Sequence, residues 1–136
     1  MIKKIDHLGI AVTSHATAKD VYEGLLGLHL RDRHEVKDQK VRTAFYPCAD
    51  VNFELLEPTD PDGPVGKFLE KKGEGFHHVA FEVDDLRREL ARLKAAQVEL
   101  IDSEPRKGAH DTWIAFLHPR ATRGMLIELV ERPQGP

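Results

Sequence analysis

The chain contains an internal repeat, and this repeat restricts the possible folds more than any other feature of the sequence. Residues around His7 superpose on residues around His78 with an offset of 71, matching histidine to histidine and apolar to apolar. Later in each half the offset is 74, which places Glu54 on Glu128. A fixed offset indicates one structural unit used twice. The sequence therefore predicts two equivalent halves, each with an early histidine and a late glutamate.

Hydrophobic periodicity predicts the elements of the first half. Apolar residues alternate with small or polar ones from His7 to Val12, which is typical of a strand. Apolar residues at helical spacing follow, ending at Leu26, and Gly27 is predicted to end the helix. Three further strands are expected around Leu28–Arg33, Val41–Tyr46 and Val51–Glu57. The first half is thus predicted to be βαβββ.

The second half repeats this order. Phe76–Val83 predicts a strand, and Leu86, Leu90 and Leu93 form one apolar stripe of a helix. Strands are then expected near Val98–Ile101, Thr112–Leu117 and Met125–Glu131. We therefore expect an α+β fold in which two pseudo-symmetric βαβββ modules form a curved mixed sheet around a metal cleft, with helices outside.

The chain is expected to be a single domain over residues 1–136. Module one covers about 1–58, and module two about 75–133. Residues 59–74 between them are rich in turn residues and include a short apolar-faced segment with Val65, Phe68 and Leu69. This linker is predicted to contain a short helix with its own docking face.

Composition excludes several classes of protein. The 136 residues include 20 Lys and Arg against 23 Asp and Glu, a net charge of −3, so no bulk positive charge exists to attract nucleic acid or anionic lipid. The single cysteine, Cys48, cannot form an internal disulfide. Neither an apolar run of about 18 residues nor an apolar leader after Met1 is present. We expect a cytoplasmic protein with no nucleic-acid or membrane partner.

Four residues at repeat-equivalent positions are candidate metal ligands: His7, Glu54, His78 and Glu128. Two imidazoles and two carboxylates suit a divalent first-row ion that prefers mixed nitrogen and oxygen ligands. Burying two glutamates without a cation would be costly or would force one to protonate. A lone histidine on a strand is more often a hydrogen-bonded core residue than a metal ligand. The joint placement of all four favours a metal site.

Neighbouring residues are interpreted differently. His77 aligns with Asp6 and points away from His78, because strand side chains alternate between faces. Glu57 and Glu131 are expected on a solvent-facing side. Trp113 and Phe116 are expected to be core or wall residues, and Cys48 lies in a predicted turn without an activating neighbour. The remaining histidines have no repeat partner and are interpreted as surface or loop residues: His15, His29, His34, His110 and His118. His110 and His118 lie near predicted strand ends, where a role at the rim of the cleft stays open.

The chain resembles the vicinal oxygen chelate superfamily of glyoxalases and dioxygenases, whose paired βαβββ modules cup a divalent metal. The motifs are Ile5-Asp6-His7, Glu54-Leu55-Leu56-Glu57-Pro58, Gly73-Glu74-Gly75-Phe76-His77-His78, Phe116-Leu117-His118-Pro119 and Leu126-Ile127-Glu128-Leu129. Within the superfamily, the linker and the Phe-Leu-His-Pro segment are most similar to those of the methylmalonyl-CoA epimerases. The resemblance covers nearly the whole chain.

The resemblance implies an isomerase that interconverts the (2R)- and (2S)-epimers of methylmalonyl-CoA through a metal-stabilised enolate. His7, Glu54, His78 and Glu128 would hold the metal, Co²⁺ first, with Mn²⁺, Ni²⁺ or Zn²⁺ as alternatives, and Glu128 would also act as catalytic base. The expected partners are an acyl-CoA substrate and a second copy of the chain in a homodimer. A CoA phosphate patch is expected at the cleft mouth, where Arg106 lies in a basic turn.

Two departures from the family pattern keep alternatives open. Several bacterial members carry a second glutamate where this chain has Thr43, and a threonine hydroxyl is not an ordinary base at neutral pH. The acid on the opposite face is therefore left open between a metal-bound water, Glu54 and another group. Some members have glutamine at position 54, whereas the carboxylate of Glu54 is closer to the glyoxalase I pattern. One alternative is a lactoylglutathione lyase of glyoxalase I type. Another is a metal-free ligand-binding protein of the superfamily, although all four ligand positions are occupied in this sequence.

Overall fold

The computed structural model of the protein describes residues 1–134. Within that range the strands are β1 (Ile2–Ala11), β2 (Asp32–Val36), β3 (Val41–Cys48), β4 (Val51–Pro58), β5 (Gly75–Val83), β6 (Arg106–Lys107), β7 (Trp113–Leu117) and β8 (Ile127–Glu131). The α-helices are α1 (His15–Lys19), α2 (Pro64–Lys72) and α3 (Leu86–Ala95). None of the helices in the described range is long and apolar enough to span a lipid bilayer.

The chain divides into two compact units. The first unit is His7–His77, and the second combines Met1–Asp6 with the chain from His78 onward. The strand order of the first unit is β2-β3-β4-β1, and that of the second is β5-β8-β7-β6. In each unit the first strand pairs in parallel with the last, and the other pairings are antiparallel. The predicted α+β class with two βαβββ modules is confirmed.

The strand registers of the two units are equivalent residue by residue. Glu54 lies between Gly9 on β1 and Phe45 on β3. Glu128 lies between Ala80 on β5 and Phe116 on β7. Each neighbour of Glu128 is the repeat counterpart of a neighbour of Glu54, so the sequence repeat is a repeat of structure.

Two predicted strands occupy different positions in the structure. The first ladder after the helix is β2 at Asp32–Val36, because Leu28 and Leu30 pack against the core instead of pairing. At Val98–Ile101 the backbone forms only an isolated bridge from Leu100 to Leu117. The apolar residues there pack beneath α3, so their alternation reflects burial of side chains and not a ladder. The strand that extends this unit is β6.

The first predicted helix also differs. Ser14 caps α1 by accepting hydrogen bonds from the Ala16 and Thr17 amides, and α1 ends at Lys19. The backbone then continues as a π-helical segment over Asp20–Leu25. This segment places Tyr22 against the core.

Glu57 and Glu131 cap helices instead of facing solvent, which corrects the prediction. Glu57 Oε1 accepts a hydrogen bond of 2.7 Å from the amide of His15, the first residue of α1. Glu131 Oε1 accepts one of 2.7 Å from the amide of Leu86, the first residue of α3. A carboxylate at a helix N-terminus satisfies an unpaired amide and interacts favourably with the helix dipole. Both modules therefore use the same capping device.

Each unit has a sheet face that carries its repeat histidine and glutamate, which we call the histidine face. The opposite faces pack on α1 and α3 through two hydrophobic clusters. α2 packs differently: its Val65 joins a cluster with Ala11, Val41 and Leu56, which lie on the histidine face of the first unit. The docking face predicted for the linker helix is thus used against β1, β3 and β4.

Candidate metal and substrate site

The first unit holds a buried histidine–carboxylate pair. His7 on β1 and Glu54 on β4 share the histidine face, because Gly9 is the register partner of Glu54 and side chains alternate along a strand. His7 Nδ1 lies 3.0 Å from Glu54 Oε2. Their residues are only 5% and 7% exposed, so this pair is shielded from bulk water.

The second unit holds the equivalent pair. His78 Nε2 lies 3.0 Å from Glu128 Oε1, and the two residues are 4% and 5% exposed. The ring of Phe116 stands edge-on to the imidazole of His78, with 5.6 Å between ring centroids. On this face Phe116 also belongs to a buried apolar cluster with Ala80, Ile114 and Val130. This pair therefore lies beside an apolar wall.

The donor atoms in these pairs match the chemistry of a first-row divalent cation. A buried carboxylate is costly unless a partner or a cation compensates its charge. Imidazole nitrogen and carboxylate oxygen are both ligands of Zn²⁺, Co²⁺, Ni²⁺ and Mn²⁺. The one cysteine of the sequence, Cys48, is exposed and takes no part in either pair. Each unit thus presents a nitrogen and an oxygen donor suited to a metal.

His77 and its repeat counterpart Asp6 have other surroundings. The ring of His77 stands edge-on to Phe68 of α2 at 4.8 Å. Asp6, which is 2% exposed, accepts two hydrogen bonds from the Arg132 guanidinium, at 2.6 and 2.9 Å. Strand alternation predicts that Asp6 and His77 face away from His7 and His78. Their contacts, with Arg132 and Phe68, agree with this prediction.

One histidine expected at the surface is buried. His15 is 5% exposed, and its Nε2 donates a hydrogen bond of 2.8 Å to the Leu55 carbonyl. The surface prediction for this residue was wrong, because a helix-start residue beside Ser14 is not distinguishable from a loop residue by spacing alone. The contact fixes α1 on β4 and gives His15 a structural role.

Four other histidines have no counterpart in the repeat: His29, His34, His110 and His118. His29 and His34 are exposed, and His34 lies on β2 opposite Thr43. His118 Nδ1 accepts a hydrogen bond from the Arg120 amide at 3.1 Å and caps a short turn. His110 has a left-handed backbone with φ of 56° in the turn before β7. Thr43 itself is 4% exposed, on the strand that also carries Phe45.

The sequence profile of the Glyoxalase/Bleomycin resistance protein/Dioxygenase superfamily matches residues 6–116. The chain belongs to this superfamily. It is 46% identical to "Uncharacterized protein YqjC" of Bacillus subtilis, a match covering 98% of this chain and 95% of the relative. It is 35% identical to the "Ethylmalonyl-CoA/methylmalonyl-CoA epimerase" of Cereibacter sphaeroides, covering 95% of this chain and 98% of the relative.

A solved structure agrees with the sequence relatives. A variant of the Streptomyces coelicolor methylmalonyl-CoA epimerase in complex with 2-nitronate-propionyl-CoA superposes with a TM-score of 0.94. The two chains are 34% identical, and the match covers 98% of this chain and all (100%) of that one. The resemblance inferred from the motifs, to this superfamily and to its epimerases, is confirmed.

Proposed function

We propose that the protein is an epimerase that interconverts (2R)- and (2S)-methylmalonyl-CoA by proton transfer at carbon 2. The observation that carries the proposal is the pair of buried histidine–glutamate contacts, each 3.0 Å long and at equivalent positions of the repeat. Full-length similarity to proteins named as epimerases supports the choice of substrate. We expect an acyl-CoA ligand, and the homodimer and cytoplasmic location stay predictions.

We further propose that His7, Glu54, His78 and Glu128 together hold one divalent ion. Two imidazoles and two carboxylates give a neutral set with a dication, which offsets the cost of burying two acids. Co²⁺ is the first expectation, with Mn²⁺, Ni²⁺ and Zn²⁺ as alternatives. When bound, such an ion supplies electrostatic stabilisation for the negative charge that develops on an enolate oxygen.

The chain's own residues supply the proton transfers. The hydrogen on carbon 2 is acidic because it lies between a thioester and a carboxylate. In the proposed reaction the carboxylate of Glu128 takes this proton, and the repeat-equivalent carboxylate of Glu54 is the second group able to return one. Thr43 lacks a base of suitable pKa, so we assign it no proton transfer. The apolar cluster around Phe116 limits access of water to the charged intermediate.

The decisive experiment measures exchange of the carbon 2 proton for deuterium. Purified protein is incubated in D₂O with methylmalonyl-CoA, with and without a metal chelator, and exchange is followed by NMR or mass spectrometry. We expect exchange that chelation abolishes and that added Co²⁺ restores. Bound metal is measured in the same samples by elemental analysis.

A second assay separates the glyoxalase alternative, which the carboxylate at Glu54 favours. The same preparation is given methylglyoxal with glutathione. Exclusive turnover of this hemithioacetal would overturn the epimerase proposal. A protein without bound metal, and without metal-stimulated turnover of either substrate, would instead support a ligand-binding role.

A further inference from the structure

One buried polar side chain makes no polar contact in the described part of the chain. Across residues 1–134, the buried polar or charged residues are Asp6, His7, His15, Thr43, Glu54, His78, Glu89, Thr112 and Glu128. All of these except Thr43 make a hydrogen bond or an ion pair through their side chains. The hydroxyl of Thr43 neither donates nor accepts a hydrogen bond within residues 1–134.

An unpaired hydroxyl is unfavourable in this position. On β3, Thr43 lies between Val41 and Phe45 on the histidine face, and these two neighbours are 4% and 2% exposed. Its register partners are Leu56 on β4 and His34 on β2. A buried hydroxyl without a hydrogen bond loses its contacts with water and gains none in return. Valine has nearly the same shape and would avoid this loss, so packing of the free protein does not explain the threonine.

Thr43 lies beside the first histidine–carboxylate pair. It pairs with Leu56, and Glu54 lies two residues earlier on β4, where it pairs with Phe45. Thr43 and Glu54 are therefore diagonal neighbours on one face, with Cβ atoms roughly 7 Å apart. Thr43 is 4% exposed, much as His7 and Glu54 are at 5% and 7%. The hydroxyl thus belongs to the same buried surface as the proposed metal ligands of this unit.

The hydroxyl oxygen of Thr43 keeps some contact with solvent. Among residues 1–134, the side-chain atom that is both wholly enclosed and without a hydrogen-bond partner is Nε of Arg106. The oxygen of Thr43 also has no partner there, so it is not wholly enclosed. A small group that enters this face can therefore meet the hydroxyl.

The chemistry of the side chain indicates which group it would bind. A hydroxyl donates one hydrogen bond, and the acceptors in an acyl thioester are oxygen atoms. The proposed substrate carries such oxygens on both carbons that flank carbon 2, in the thioester and in the free carboxylate. Since Glu54 is proposed to exchange a proton with carbon 2, these oxygens would lie near its diagonal neighbour Thr43.

We propose that the Thr43 hydroxyl donates a hydrogen bond to an oxygen of the bound acyl group. Thr43 is then a substrate-binding residue without a part in proton transfer. This proposal rests on the proposed function, since it concerns the same substrate and the same face. An apolar residue at this position would leave the acyl oxygen without its donor in a buried site, which lowers affinity. The hydroxyl is thus unpaired in the free protein and paired in the complex.

The test compares Thr43→Val with Thr43→Ser. Valine keeps the branched shape and removes the hydroxyl, whereas serine keeps the hydroxyl and removes a methyl group. Dissociation constants are measured by calorimetry for methylmalonyl-CoA and for propionyl-CoA, which lacks the carboxylate. Urea unfolding without ligand gives the stability of each variant. Thr112→Val is the stability control, because Thr112 is equally buried but its hydroxyl donates to the Ala109 carbonyl at 2.8 Å.

Thr43→Val should have an unchanged or higher urea midpoint but a lower affinity for acyl-CoA. The loss is roughly 3- to 10-fold for a bond to the thioester oxygen, seen with both ligands. It is roughly 10- to 100-fold for a bond to the carboxylate, seen with methylmalonyl-CoA alone. Thr43→Ser should show the reverse, a lower midpoint with the affinity nearly retained. Thr112→Val should lower the midpoint, because it leaves a carbonyl without its donor.

Three results would overturn the assignment. Unchanged affinity of Thr43→Val for both thioesters would mean that the hydroxyl does not contact the acyl group. An equal loss of affinity in Thr43→Ser would assign the effect to the methyl group. A midpoint of Thr43→Val as low as that of Thr112→Val would show that the hydroxyl has a partner within the protein. If Thr43→Val does not fold, Thr43→Ala takes its place, since it differs from Thr43→Ser only by the hydroxyl.

The same measurements separate this proposal from the proposed function. If the wild type binds methylmalonyl-CoA but shows no deuterium exchange, the proposed function fails, and the dissociation constants still decide the role of Thr43. If exchange is present and Thr43→Val binds both thioesters as the wild type does, only the role of Thr43 fails. A wild type that binds neither thioester would overturn both.

Discussion

The ion pair between Asp6 and Arg132 allows a quantitative test of how this protein handles a buried charge. Asp6 is 2% exposed, whereas the side chain of Arg132 is 32% exposed. Removing the arginine takes a bidentate hydrogen-bonding partner from a carboxylate that is almost wholly buried, whereas removing the aspartate leaves a guanidinium that water partly hydrates. We therefore expect unequal effects from the two single substitutions.

Arg132→Met should lower the free energy of unfolding by about 3 kcal/mol, the lower end for breaking a buried pair, because one partner is partly hydrated. Asp6→Asn should cost about 1–2 kcal/mol, since an amide can still accept from the guanidinium. With 136 residues the unfolding entropy is about 0.3 kcal/mol per degree, so 3 kcal/mol lowers Tm by about 10 °C.

The assay is urea unfolding of both single variants and the double variant, with chelator present so that metal binding does not contribute. The double variant should be at least about 1 kcal/mol more stable than the sum of the single effects predicts, because no charge is left buried without its partner. Simple additivity, or a larger loss for Asp6→Asn than for Arg132→Met, would refute this reasoning.

Three further predictions follow from particular contacts. A hydrogen bond from the Met1 ammonium lowers the pKa of Asp84 from 3.8 to about 2, so the contribution of Asp84 to stability is present above pH 3.8 and lost as the pH falls toward 2. Asp84→Asn should remove this loss of stability at low pH, and an unchanged dependence of stability on pH between 3.8 and 2 would contradict the prediction. Asp85 caps α3, so Asp85→Ala should cost about 1 kcal/mol in urea unfolding while Asp85→Ser costs little. His78→Ala should lose bound metal on dialysis, measured by elemental analysis, whereas His77→Ala should retain it; equal retention would show that the wrong histidine was assigned.

The duplicated architecture could be predicted from the sequence because a repeat constrains both the order of the strands and the positions of the residues on them. An offset that aligns His7 with His78 also aligns the strands that carry them, and strand alternation then separates each histidine from its neighbour. The pairings of Glu54 and Glu128 in the two units confirm this inference directly. Residue identity at matched positions named the two histidines and two glutamates, and the structure places each histidine beside its glutamate; their role as metal ligands stays a prediction.

The predictions of strands and helices were wrong where the local hydrophobic pattern and the tertiary packing favoured different structures. Apolar residues at Leu28, Leu30 and Val98 alternate like strand residues, but they pack against cores outside any ladder. Whether an apolar segment pairs or only packs depends on what lies beside it, and this information is not local. The π-helical segment at Asp20–Leu25 has the same origin, since its apolar spacing also fits an α-helix.

The sequence by itself determined the two modules, their order of elements and the histidine–glutamate pairs, because these depend on periodicity and on the repeat. Only the tertiary structure decided that Glu57 and Glu131 cap helices, that His15 is buried and that Arg106 lies beside Phe116. Those roles depend on contacts between residues far apart in the chain. Such contacts arise from packing of whole elements, which no short window of residues encodes.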